Sequence, residues 1–168
     1  MQNYTSKATS VNKTKLPAVY GKVKSFAPSV LDYGCGKYVN HIADYLDSVG
    51  ANLIPYDPYN QPTSINLDAF DHIRYHMRHH TPLDVVCSNV LNVIDSDGEV
   101  SRICHHIEEI ATTTGGTAYI TVYDGNRSCV GRQTGRDQYQ RNAPLRDYLR
   151  FFHNATIKNN MIIIKGGN

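Results

Sequence analysis

Short apolar runs alternate along most of the chain with segments in which apolar residues recur at helical spacing. The apolar runs predict strands, which span residues 29–33, 51–56, 83–88 and 117–123. The helical spacing predicts helices at residues 38–49, 67–79, 97–112 and 145–152. Strands that alternate with helices are typical of a parallel sheet with helices packed on it, so the pattern predicts an α/β fold.

The sequence of residues 156–165, near the end of the chain, predicts a hairpin. Two short predicted strands, 156–158 and 161–165, flank Asn159-Asn160, a dipeptide that tolerates the positive φ of a tight turn. We therefore expect a Rossmann-like, doubly wound, mostly parallel sheet with an antiparallel C-terminal strand and helices on both faces. One more strand should lie between residues 57 and 83, and residues 63–67 are the best candidate for it.

Size and composition favour one globular domain over residues 1–168. The chain has 168 residues, 40% of them hydrophobic, which is enough for a core that needs no disulfide or metal. Residues 1–12 are polar and expected to be flexible. We predict a cytoplasmic protein with reduced cysteines and no membrane partner, since the sequence has no long apolar run and no CxxC pair. The net charge of +2 is too small to indicate a polyanionic partner.

A glycine turn follows the first predicted strand, in Asp32-Tyr33-Gly34-Cys35-Gly36. Glycines at such a turn let the backbone approach a ligand where a Cβ would clash. The turn leads to the start of a helix, where free N–H groups converge. Asp57 follows the second strand, 23 residues after Gly34, where nucleotide-binding α/β folds carry the carboxylate that binds a ribose hydroxyl.

This stretch resembles motif I of the class I S-adenosyl-L-methionine (SAM) methyltransferases. The resemblance implies SAM as cofactor, with the glycine loop at its amino-acid end and the acid after the second strand on both ribose hydroxyls. Residues 84–94 resemble the family's fourth strand and following loop, and residues 115–123 resemble the entry to its fifth strand. The closest likeness is to uncharacterised methyltransferase-like proteins of bacteria and phages, including those beside DNA phosphorothioation systems. This chain has Tyr38 where the family has a third glycine.

The motifs and the resemblance together give a set of candidate cofactor-binding residues. They are Asp32, Gly34, Gly36, Asp57, Pro58, Tyr59, Asn89 and Val90. Asn89 is expected to bind the SAM amino group or the substrate, and the alternative is that it only caps the next segment. Tyr59 is expected to cover the adenine. Asp57-Pro58-Tyr59 also resembles the motif with which DNA amino-methyltransferases hold a flipped base. That motif follows the fourth strand, however, whereas Asp57-Pro58-Tyr59 follows the second.

The polar loop at 124–144 is the candidate for recognition of the methyl acceptor. Such long loops in compact domains are usually functional or disordered. Its candidate substrate-binding residues are Arg127, Arg132, Tyr139, Arg141 and Asn142, and guanidinium groups suit a phosphate or carboxylate. The alternative is a solvated loop with internal ion pairs. The acceptor itself is open: a small molecule, a nucleic acid or a protein side chain.

Catalysis by a methyltransferase depends mainly on orientation, because the sulfonium already activates the methyl group. Asn89, Tyr123 and Asp124 are the candidate catalytic residues, any of which could assist proton removal from the acceptor. No metal is expected, because the histidines at 72, 76, 79 and 80 are predicted to lie on an exposed basic face of a helix and not in a metal site. Two other functions stay open: a non-catalytic binding or partner subunit of the same fold, and a dinucleotide oxidoreductase.

Overall fold

Eight strands occur in the computed structural model, which describes residues 15–135 and 138–167. They are β1 (Ser29–Tyr33), β2 (Asn52–Tyr56), β3 (Asp84–Ser88), β4 (Thr117–Thr121), β5 (Arg132–Gly135), β6 (Gln138–Gln140), β7 (Thr156–Lys158) and β8 (Met161–Lys165). Six form one sheet in the order β2-β1-β3-β4-β8-β7, and β5 and β6 form a separate hairpin. Residues 1–12, for which the sequence predicts flexibility, lie outside the described residues.

The sheet is parallel from β2 to β4 and antiparallel at its other side. Strand β8 inserts between β4 and β7 and runs antiparallel to both. Asn159 and Asn160, between β7 and β8, both have positive φ, as the predicted hairpin turn requires. The predicted mixed, mostly parallel α/β sheet is confirmed.

Within the described residues, three α-helices cover the sheet, and short 3-10 helices join other elements. The α-helices are α1 (Asn40–Ser48), α2 (Thr63–His79) and α3 (Asp97–Thr114), and the 3-10 helices are Tyr20–Lys22, Leu91–Val93 and Leu145–Phe151. No helix among the described residues has the length and hydropathy needed to cross a membrane.

Neighbouring residues of each central strand pack on opposite faces of the sheet. Val30 and Val86 belong to one apolar cluster, which α1 and residues 19–20 cover. Leu31 and Val85 belong to the other cluster, which α2 and α3 cover. Because helices lie on both faces, the central strands are buried on both sides, as their nearly continuous apolar sequence requires.

The strand predicted at 63–67 is wrong, because these residues form the first turns of α2. The helix begins after Pro62, a residue suited to a helix start, and runs to His79. Its buried residues are Ala69 and Ile73, four positions apart, which is a helical spacing. Strand β2 is therefore an edge strand, which agrees with the proline at position 55.

Candidate functional site

A cavity of about 800 Å³ opens at the carboxyl ends of the parallel strands. It lies where open α/β sheets bind their ligands, and its volume falls within the range of small-molecule sites. The loops after β1, β2 and β3 all contribute to its wall. All eight predicted cofactor-binding residues line it: Asp32, Gly34, Gly36, Asp57, Pro58, Tyr59, Asn89 and Val90.

The glycine turn packs closely on the loop after β3. Gly34 has φ +85°, and a Cβ at this position would lie 2.3 Å from Cγ2 of Val90. Gly36 also has positive φ. Glycine is therefore required at position 34 for two reasons that involve no ligand, its left-handed backbone and its contact with Val90.

The N–H groups of the glycine turn are already used within the protein. The N–H groups of Gly34 and Cys35 both donate to the carbonyl oxygen of Tyr56, at 2.7 and 3.2 Å. That of Gly36 donates to Oδ2 of Asp57, at 2.9 Å. Phosphate-binding turns keep such groups free for the ligand. The turn therefore has no free N–H group at Gly34, Cys35 or Gly36, and the expected convergence of free N–H groups at the start of the following helix stays a prediction.

Asp57 is the centre of a hydrogen-bond network that joins the glycine turn to the loop after β2. Its Oδ1 accepts the N–H groups of Tyr59 and Asn60, each at 2.9 Å. Its Oδ2 accepts the N–H of Gly36 and, at 3.2 Å, Nδ2 of Asn60. Because a carboxylate offers about four acceptor positions, all of them are occupied. A ribose hydroxyl would have to displace one of these donors.

Asp32 is buried at the base of the cavity. It is 3% exposed, and its Oδ2 accepts the hydroxyl of Tyr20 at 2.7 Å. The pKa of Asp32 is raised to about 7, mainly by burial and in smaller part by the nearby charge of Asp57, and the hydrogen bond from Tyr20 opposes the rise. This carboxyl group can thus change its charge near neutral pH.

The cavity has further walls that the sequence motifs do not indicate. Residues 15–18 form one of them, and the first turns of α1 and α3 form others. Glu99, Arg102 and Ile103 share one face of α3, at spacings of three and four residues. That spacing is visible in the sequence, but nothing in it indicates that this face meets the glycine turn.

Two buried polar atoms belong to cavity-lining residues that the prediction missed. They are Nδ1 of His41 and Oδ1 of Asn92, and neither has a hydrogen-bond partner in the part of the chain that the structure describes. Buried polar atoms are nearly always paired in native proteins. These two are therefore candidates for contacts with a ligand or an ordered water.

The predicted catalytic residues divide into two groups. Asn89 and Tyr123 both line the cavity, and Tyr123 is 63% exposed. Asp124 is not among the described residues that line it. Its Oδ2 accepts Nε of Arg127 at 3.0 Å, and its Oδ1 accepts the N–H of Leu145 at 3.1 Å. The structure thus brings Asn89 and Tyr123 together and gives Asp124 other partners.

The predicted substrate-binding residues lie away from the described cavity wall. Arg141 donates to the carbonyl oxygen of Ile94 at 2.8 Å and pairs with Asp97, which leaves its side chain 12% exposed. Asn142 is 2% exposed and donates to the carbonyl oxygen of Val130 at 2.9 Å. The contacts of Arg141 fix the loop to the segment before α3 and to the first residue of that helix, and the bond from Asn142 to Val130 joins two parts of the loop itself.

The other three loop residues are more accessible. Arg127 and Arg132 are exposed, and Tyr139 lies beside a smaller depression that Arg141 also lines. Of the five predicted residues, Arg127 and Arg132 are therefore the ones with side chains available to a partner in solution.

Compared with family models, curated proteins and solved structures, the chain has no match. Among the described residues, no three His, Cys, Asp or Glu side chains gather as a metal site would require. The observations that bear on function are therefore the sheet topology and the cavity.

Proposed function

We propose that this protein is a SAM-dependent methyltransferase. The observation that carries the proposal is the common cavity: eight residues chosen from the sequence, one in β1 and seven on the loops after three adjacent parallel strands, line one space of about 800 Å³. The sheet, with its reversed strand β8 between β4 and β7, also resembles the methyltransferase topology.

The internal bonding of the glycine turn favours an adenosyl ligand that carries no phosphate. A dinucleotide or a nucleoside triphosphate places its phosphates on free N–H groups of such a turn. Here Gly34, Cys35 and Gly36 donate theirs to Tyr56 and Asp57. SAM has no phosphate group that would need free N–H groups.

The residues present fit such a ligand in most respects. Asn89 and Tyr123 lie at the ends of β3 and β4, so they are the groups that would orient the acceptor. SAM would supply an activated methyl group. Asp57 departs from the expectation, since its four acceptor positions are filled. We propose that Asp57 holds the glycine turn in place and that Tyr59 covers the adenine.

The four filled acceptor positions of Asp57, and the hydrogen bond that each oxygen of Asp124 already accepts, also favour a second candidate function. A subunit that binds an adenosyl compound, or a partner, without catalysis would need neither a ribose clamp nor a base. Arg127 and Arg132 would serve either function by contacting an anionic partner, which could be a small molecule or a nucleic acid.

Calorimetric titration tests the proposal directly. SAM and S-adenosylhomocysteine should bind with one site per chain, whereas NAD and ATP should bind at least tenfold more weakly because the glycine turn offers them no free N–H groups. Failure of both adenosyl compounds to bind would refute the proposal. Equal binding of all four would refute the argument from the glycine turn.

A pair of tyrosine variants tests the place of the adenine. Tyr59 lines the cavity and is 49% exposed, whereas Tyr75 is 57% exposed on α2 and is not part of the described wall. Ring stacking contributes roughly 0.5–1.5 kcal/mol, so Tyr59→Ala should weaken S-adenosylhomocysteine binding about two- to tenfold. Tyr75→Ala should leave it unchanged. Equal effects of the two substitutions would contradict the assignment.

A further inference from the structure

Asn92 lies at the junction of two loops that border the cavity. It is 2% exposed and belongs to the 3-10 helix Leu91–Val93, just after β3. Its backbone carbonyl oxygen accepts the N–H of Arg141 at 2.8 Å. Its side chain is therefore held between the end of β3 and the loop that follows β4.

The orientation of the Asn92 amide follows from its neighbours. Nε2 of Gln140 donates to the carbonyl oxygen of Tyr123 at 2.9 Å, and a backbone carbonyl can only accept. Gln140 must therefore turn its Oε1 to Asn92, which donates Nδ2 to it at 3.1 Å. The other polar atom of the Asn92 amide is Oδ1. If this amide were flipped, Oδ1 of Asn92 would face Oε1 of Gln140, and neither oxygen has a hydrogen to donate.

Oδ1 of Asn92 is consequently a fixed acceptor without a donor. It is buried, and no group of the described residues pairs with it. An unpaired buried acceptor costs about 1–3 kcal/mol. Because Asn92 lines the cavity, a ligand that carries a donor could satisfy it.

The position of Asn92 indicates which part of a ligand that would be. The cavity extends across the ends of neighbouring strands, from Asp57 after β2 to Tyr123 after β4. Asn92 is linked through Gln140 to Tyr123 and follows β3. It therefore lies at the opposite end from the predicted adenosine contacts, where a methyl acceptor would enter.

We propose that Oδ1 of Asn92 accepts a hydrogen bond from an N–H group of the methyl acceptor, which is a neutral amine or an amino group on a ring. This inference rests on the proposed function. A hydroxyl acceptor would need a base, and Asp124, the acid after β4, has both oxygens engaged. A neutral amine already has a lone pair for attack.

The step balances without further reactants. The nitrogen lone pair forms the new N–C bond, the C–S bond breaks, and its electron pair stays on sulfur to give S-adenosylhomocysteine. The nitrogen becomes positively charged and then releases one proton to water. Asn92 is a positioning residue for the amine, and its amide oxygen also faces the positive charge that develops.

Two ligands of known structure test the proposal while the acceptor is unidentified. Sinefungin has an aminomethine group in place of the sulfur of S-adenosylhomocysteine, so its amine lies where the methyl group of SAM would be. The native protein should bind sinefungin about tenfold more tightly than S-adenosylhomocysteine, the lower end of what a hydrogen bond to a charged group provides. In Asn92→Ala this ratio should fall close to one.

Two further variants distinguish the role of Oδ1 as an acceptor from the role of the hydrogen bond between Asn92 and Gln140. Gln140→Ala keeps Oδ1 but removes the bond that fixes its orientation, so the ratio should lie between that of the native protein and that of Asn92→Ala. Asn92→Asp also breaks that bond but keeps an acceptor, so the ratio should be equal or larger. Binding of S-adenosylhomocysteine and a thermal melt report whether each variant folds.

Three results would overturn the proposal. Equal affinity of the native protein for both ligands would mean that no acceptor faces the amine. Equal weakening of both ligands in Asn92→Ala would mean that Asn92 contacts a part they share. A ratio near tenfold that persists in Asn92→Ala would mean that another group accepts the hydrogen bond from the amine. Failure of both ligands to bind any variant or the native protein would instead refute the proposed function.

Discussion

Replacing Asp57 with alanine should destabilise the fold and not only a ligand complex. The substitution removes the acceptor of four hydrogen bonds, three of them from the backbone N–H groups of Gly36, Tyr59 and Asn60. A hydrogen bond to a charged group contributes about 1.5–3 kcal/mol. Since the four bonds share one carboxylate and water can replace some of them, we expect a total loss of about 3–5 kcal/mol.

Urea unfolding followed by circular dichroism measures this loss. The midpoint should fall while the slope with denaturant concentration stays the same. For a chain of this size the loss corresponds to a fall in Tm of roughly 6–20 °C. Asp44→Ala is the matched control, because Asp44 is exposed in the middle of α1 and should change the free energy of unfolding by no more than about 0.5 kcal/mol.

Asp57→Asn distinguishes a structural role from a ribose contact. It keeps the size of the side chain and one oxygen, but it presents an N–H group to the N–H of Gly36. We therefore expect it to be destabilised nearly as much as Asp57→Ala. If both variants were as stable as the native protein and only bound S-adenosylhomocysteine more weakly, the argument from the four filled acceptor positions would be refuted.

Two other predictions concern stability. With the pKa of Asp32 raised to about 7, the native protein keeps a proton that the unfolded chain releases near pH 4, so this residue's contribution to stability falls as pH rises from about 4 to 7. Asp32→Asn keeps an acceptor for Tyr20 and should remove about 2–3 kcal/mol of the decline in the free energy of unfolding between pH 5 and pH 8, measured by urea unfolding. Equal declines in the two proteins would contradict this. Arg141→Ala should lower the free energy of unfolding by about 2 kcal/mol, because the buried carbonyl of Ile94 loses its donor. Arg132→Ala should lower it by less than about 0.5 kcal/mol. Similar values for the two variants would show that Arg141 does not anchor the loop.

The sequence predicts the sheet well because each strand has a local signal. Residues 29–33, 156–158 and 161–165 are strands with the predicted bounds, since each ends at turn residues. The prediction of a strand at 63–67 is wrong. The helix predicted at 67–79 contains Ala69 and Ile73, the two buried positions of α2, whereas the first turn of α2 has no buried residue that would extend the helical pattern.

The lining of the cavity was predictable to a similar extent, but its bonding was not. Residues at the carboxyl ends of parallel strands must meet at one edge of the sheet, so the motif residues come together whatever the detail. Whether Asp57 faces a ligand or the N–H of Gly36 depends on the conformation of two loops. The same holds for Asn92, whose free oxygen is fixed only through Gln140, 48 residues away.

The position of β8 inside the sheet has a consequence for how the chain folds. Ile120 of β4 pairs with Ile162 of β8, so this side of β4 remains open during synthesis until residues 161–165 leave the ribosome. Pairing across about 40 residues carries an entropic cost that local hairpins avoid, which makes closure of the sheet a late step. Until then β4 is an apolar strand with an unpaired edge, the kind of surface through which nascent chains associate wrongly.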